Sequence, residues 1–173
     1  AAAATALAHQ SPDIRDRQPE LLAYHYTQAR LAEPAIAYWT RAARRAVARS
    51  ALVEAVGQLR QALELVPDLP EGPARLRQEL ELQSSYGGAM FALQAWSGGL
   101  ASRAFTRALE VAEALDDVEA VARVLGGMVT YQIGQCLYAE AHQTSTRLLR
   151  IAERSASPTV QLIAHRCMAV SLH

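Results

Sequence analysis

Along "SALVEAVGQLRQALELVP" (50–67) apolar residues return every three or four places, at Leu52, Ala55, Val56, Leu59, Ala62, Leu63 and Val66. That beat puts them on one stripe of a helix, with Arg60 and Glu64 on the other side. Leu148, Leu149, Ile151 and Ala152 repeat it near the C-terminus. No stretch alternates convincingly with period two, so strands are not expected. Together with the Pro, Gly and Ser breaks, the pattern predicts helices at about 2–9, 19–31, 34–49, 51–66, 73–95, 99–115, 118–133, 137–154 and 158–172. Pro19 and Pro34 suit first helical turns. Ser50 is expected to cap the helix that starts at Ala51, with Glu54 adding negative charge near its N-terminus. "VPDLPEGP" (66–73) is the strongest break, and "SGG" (97–99), "DD" (116–117) and "SASP" (155–158) mark others.

Composition sharpens this into a packing argument. Hydrophobic residues make up 51% but aromatics only 6%, and much of the difference is alanine. Such a core forms when helix backbones approach closely. The 17 basic residues, all Arg, balance 17 acidic ones. That excludes a dedicated nucleic-acid or anionic-membrane surface as the expectation. No apolar run reaches the ~18 residues of a membrane span. Two cysteines, Cys136 and Cys167, form no disulfide framework, so a reducing cytoplasm is expected. "AAAATALAHQ" lacks a basic leader region and reads as the end of a preceding helix, with 1–17 as helix end and linker and 18–173 as one helical domain.

The alanines fall at fixed places. Counting from Ile36, position 4 is Trp39, 8 is Ala43, 20 is Ala55, 24 is Leu59, 27 is Ala62 and 32 is Pro67. This resembles the tetratricopeptide repeat, a helix pair of about 34 residues with small residues at 8, 20 and 27. The mask recurs from Leu82 (Ala89, Ala101, Phe105, Ala108), from Ala122 (Leu125, Ala141, Leu148, with Ser145 a poor match at 24) and from Leu162 (Ala169, Leu172). A start at Asp16 also fits the first helices, through Leu22, Ala23, Tyr26 and Ala35. The spacing exceeds the consensus, so longer helices or loops are expected. The resemblance implies an all-α, right-handed superhelix of antiparallel helix pairs. It also implies a concave groove lined by Thr40, Arg44, Gln83, Tyr86, Met90, Arg123, Thr130 and Arg166, suited to a protein or peptide partner.

"QPELLAYHYTQARLAEPAIAYWTRAARRAVARSALVEAVGQLRQALELVPDLP" and the later "RQELELQSSYGGAMFAL" carry a second resemblance. They are similar to the helical region after the ATPase module in large bacterial regulators that combine a class III adenylate/guanylate cyclase with an AAA-type ATPase. Similarity runs over about 18–150 and departs at Arg30, where that family usually has Gly, and in "SSYGG". It implies a non-catalytic scaffold for protein–protein interaction or signal sensing inside a larger signalling protein. Neither the cyclase carboxylates nor a phosphate-binding loop is in this chain.

Candidate chemistry is sparse, and no cofactor or metal is expected. His25, between two tyrosines, and His165 are the residues an alternative helical enzyme or ligand-binding domain would use, but no Asp or Glu pairs with either by helical spacing. His165 and Cys167 are two apart, so they diverge on a helix. The glycine pairs at 87–88, 98–99 and 126–127 match no nucleotide loop, and those at 87–88 and 126–127 read as close helix crossings. "RAARRAVAR" (41–49) reads as a solvated face with salt bridges. The last helix reads as the first half of a cut repeat. Val160, Ile163, Ala164, Val170 and Leu172 would then be uncovered, and a homodimer could form there.

Overall fold

The computed structural model describes residues 18–93 and 99–172. Among them are eight α-helices and no strand. They are α1 (Pro19–Gln28), α2 (Ala32–Ala48), α3 (Leu52–Leu65), α4 (Pro73–Ala92), α5 (Leu100–Ala114), α6 (Val118–Gly134), α7 (Tyr138–Glu153) and α8 (Pro158–Ser171), with a 3-10 turn at Val66–Asp68. The all-helical expectation therefore holds. The helix expected at 2–9, positions 94–95 of the fifth and "SG" of "SGG" lie outside the described residues. Contacts divide the chain into two compact units, within residues 1–95 and 96–173.

Four of the turns between helices share one construction. Arg30, Ser50, Asp116 and Cys136 each adopt a left-handed backbone, with φ of 55°, 60°, 53° and 60°. In each turn the left-handed residue's N–H bonds back to the third residue before it, and the next N–H to the fifth before that. Ser50 N donates to Val47 O (2.9 Å) and Ala51 N to Ala46 O (2.8 Å), for example. This closure satisfies carbonyls a helix end leaves open, and glycine is its usual occupant. Here four side-chain-bearing residues hold it. Ser50 thus ends α2 and does not cap α3, because Ala51 is the N-cap residue and makes no side-chain bond. Asp117 does cap, its Oδ1 accepting from Ala120 N at 2.8 Å. Five residues after Arg30, Ser50 and Cys136 come Ala35, Ala55 and Ala141, all fully buried. The tight turn drives the new helix back onto the old one, and only a small side chain fits at that crossing.

In the first unit α1 packs on α2, α2 on α3 and α3 on α4. Ile36, Leu59, Ala62, Val66 and Leu82 form the main core, and Leu22, Tyr26 and Ala35 a second. Trp39 packs against both, and its Nε1 donates to Thr27 Oγ1 at 3.1 Å. Tyr26 stacks on Tyr38 with ring centres 5.5 Å apart.

In the second unit α6 carries contacts with α5, α7 and α8. Its Val121, Val124, Leu125 and Val129 are accordingly buried on more than one side. Two glycines make this possible. A Cβ at Gly126 would lie 2.9 Å from Ile163 Cγ2, and one at Gly127 would lie 3.0 Å from Phe105 Cε1. Ser145, fully buried, donates to Cys167 O at 3.2 Å and ties α7 to α8. That bond accounts for a hydroxyl where the repeat mask wants a bulky residue. The expectation for α8 is corrected in part. Val160 and Ala164 are fully buried and Ile163 sits over Gly126, whereas Leu162, Val170 and Leu172 are exposed.

Candidate functional site

The basic run 41–49 forms an exposed face of α2. From it Arg44 pairs with Glu81 of α4, and Arg49 pairs with Glu54 of α3. Arg44 of the first pair also lines a groove of about 340 Å³. One wall is α2, with Thr40, Ala43, Arg44 and Val47. Leu52 and Leu59 of α3 form the floor, and Ser85, Gly88, Ala89 and Ala92 of α4 form the other wall. The lining is mainly apolar because alanine, glycine and leucine supply most of it. Thr40 Oγ1 already donates to Ile36 O at 2.8 Å, so its proton is spent locally. Gly88 differs from Gly126, since a Cβ there would meet nothing within 4 Å. Its missing side chain widens the groove and mediates no helix crossing.

Thr40 and Arg44 stand in this groove. Gln83, Tyr86 and Met90 do not, since Met90 is buried and Tyr86 packs against the main core. Ser85 and Ala89, one residue earlier, hold the places facing α2. One residue is ~100° of helix rotation. The repeat counted from Leu82 puts Ala89 at its small-residue position 8, so on α4 this groove takes positions next to the ones that the repeat assigns to a concave face. Val47 and Ala92 carry no reading of their own in the sequence, Leu52 reads only as part of the apolar stripe of α3, and Gly88 reads as a helix crossing where it lines the groove.

In the second unit, Arg123 pairs with Glu119 at 3.7 Å, and Thr130 Oγ1 donates to Gly126 O at 3.0 Å. Arg166 reaches the same strip of α6, its Nη2 3.7 Å from where a Cβ of Gly126 would stand. These three residues therefore share one region of α6 and α8. A separate open cleft of about 680 Å³ lies between the C-terminal half of α7 and the start of α6. Arg147, Arg150 and Arg154 line it with Val118, Ile151 and Ser155. Arg147 is held by Glu113 of α5. Among the described residues no carboxylate pairs with Arg150 or Arg154.

Groups able to do chemistry are scattered. His25 meets Tyr24 edge-on at 5.8 Å, and His165 is exposed. Burial pushes the Cys167 thiol above its ordinary range, with Arg166 opposing. The Tyr138 hydroxyl is pushed up by its hydrogen bond to the Cys136 side chain and then by the charge there. No group of three His, Cys, Asp or Glu residues is arranged to hold a metal among the described residues, and no helix there is long and apolar enough to cross a membrane. No family model, curated protein or solved structure matches the chain.

Proposed function

We propose that this chain is a non-catalytic, tetratricopeptide-like scaffold that binds a protein partner within a larger bacterial signalling ATPase or cyclase. The groove between α2 and α4 carries the reading. It is preformed, mainly apolar and lined by one charged residue, Arg44, which suits a partner helix or peptide that inserts aliphatic side chains. Two features support the repeat class. A left-handed turn stands five residues before a fully buried alanine at Arg30/Ala35, Ser50/Ala55 and Cys136/Ala141. Arg30 also adopts that left-handed backbone at the position where the resembled regulators usually have Gly, so the turn needs no glycine to form.

The test is peptide selection from a random display library on the purified protein and on Gly88→Leu. The substitution adds a side chain to open groove space at a helical position, so the fold is expected to survive, with an unchanged or higher melting temperature. Selected peptides should carry two aliphatic residues at i and i+3 or i+4, and Gly88→Leu should weaken them at least about tenfold. Equal binding to both proteins would sink the groove. Turnover of a nucleotide, abolished by a single internal substitution, would sink the scaffold reading altogether.

A further inference from the structure

We infer that the arginine-lined cleft of the second unit is a binding site for an extended acidic peptide, separate from the apolar groove of the first. Three observations combine. The cleft is large, about 680 Å³, so it can hold more than one simple anion. Its charge is strung out and does not converge. Arg147 and Arg150 on α7 and Arg154 at its C-cap are spread over seven helical steps, a rise of ~10 Å. From Arg150 to Arg154 the rise is ~6 Å. Same-face side chains of an extended chain repeat every ~6.6 Å, so carboxylates two residues apart match that pair of guanidinium groups. A lone phosphate would instead be held by donors that meet at one point. Finally, the charges differ in what they already hold. Arg147 is occupied by Glu113, which fixes it as one end of the cleft. Arg150 and Arg154 keep their donors for an incoming group, and Val118 and Ile151 offer apolar surface to the residues between the carboxylates.

Arg150 and Arg154 also lie at the negative end of the α7 dipole, which favours cations there without an external partner. That effect explains the charges. It does not explain a cleft with apolar walls beside them. Glu119, the nearest acidic residue of α6 apart from the cap, is engaged by Arg123 and Ser157. It leaves the arginines to a ligand.

The experiment uses the whole chain and a labelled peptide, acetyl-Leu-Glu-Val-Glu-Leu-amide, with its Gln-for-Glu counterpart and inorganic phosphate. Anisotropy at low salt should show binding of the Glu peptide and at least about tenfold weaker binding of the Gln peptide. Arg150→Glu with Arg154→Glu should weaken the Glu peptide by a similar or larger factor. The charge-matched control Arg60→Glu with Arg103→Glu should change it less than about threefold. Gly88→Leu should leave it unchanged, which keeps this site distinct from the groove of the first unit. Four results overturn the inference: no binding, equal binding of both peptides, equal loss in both double variants, or phosphate displacing the peptide at concentrations where an equal ionic strength of chloride does not. The last would mark a phosphate site instead.

Discussion

The two units use the same device for different ends. In the first, α2 and α4 flank α3, and Arg44–Glu81 joins the flanking helices; in the second, α5 and α7 flank α6, and Glu113–Arg147 does the same. The spaces beside these bridges differ. The first is walled by alanine, glycine and leucine, the second by three arginines and short apolar patches. The treatment of the middle helix differs too. α3 leaves Leu52 and Leu59 as a groove floor, whereas α6 is sealed by α8, which crosses it at Gly126. A helix with one free side can offer a binding floor. A helix packed by three neighbours serves as a core, and binding chemistry moves to the helices around it.

Glycine separates the two cases most sharply. Gly126→Leu must push Ile163 aside, and β-branched Ile163 has little rotamer freedom with which to yield. We expect a loss of about 3 kcal/mol, the upper end of the usual overpacking cost. Gly88→Leu should cost nothing and gain up to about 1 kcal/mol from helix propensity. Chemical denaturation of the pair measures both. Losses of equal size would dissolve the contrast between a sealed middle helix and an open one.

Next in size are Ala55→Leu and Ala62→Leu in the first unit. Both alanines are fully buried, and each larger side chain should cost about 1–3 kcal/mol. If both variants melt within about a degree of the parent, the alanines do not set the helix spacing.

Sequence pattern located the helices to within about three residues, because helix periodicity and prolines are local signals. Pro19, Pro73 and Pro158 each sit at a helix start, as their fixed φ and missing N–H require. The groove was legible only on its α2 side. Thr40 and Arg44 follow directly from the count that starts at Ile36, but on α4 the count from Leu82 names Tyr86, where Ser85, one residue earlier, lines the groove. The arginine cleft escaped notice because Arg147, Arg150 and Arg154 resemble any solvated helix face until α6 is placed beside them. Ser50 misled for a related reason. Serine favours caps, and only the turn geometry reveals that this one lies a residue too early.

Capping gives a smaller test of the same comparison. Asp117 and Ala51 occupy equivalent places, one after the left-handed residue of its turn, but only Asp117 caps its helix. Asp117→Ala should cost about 1 kcal/mol, and Ala51→Asp should gain about half that. Thermal melts of the two variants should move in opposite directions, by a few degrees at most. Movement in the same direction would mean that the two turns are not equivalent.

The smallest expected effect is a pH dependence confined to the second unit. Cys167 is buried where α8 meets α6, below Gly126, and Ser145 holds its carbonyl. Burial raises its thiol above the ordinary range in the folded state. Above the ordinary thiol range the unfolded chain loses that proton first, so the folded state binds more protons and stability falls as pH rises. Below that range both states keep the proton, and the contribution is fully present. The slope must be shallower than the about 1.4 kcal/mol per pH unit that a whole proton would give. Cys167→Ala should flatten the fall in stability that sets in above about pH 8.5, even though the lost sulfur lowers stability at every pH. Tyr138 also has a raised pKa and contributes with the same sign, but only above its ordinary value of about 10, so the Cys167 comparison is read below that pH. If the slope between about pH 8.5 and 10 persists unchanged in Cys167→Ala, the alkaline sensitivity does not belong to the sealed side of α6.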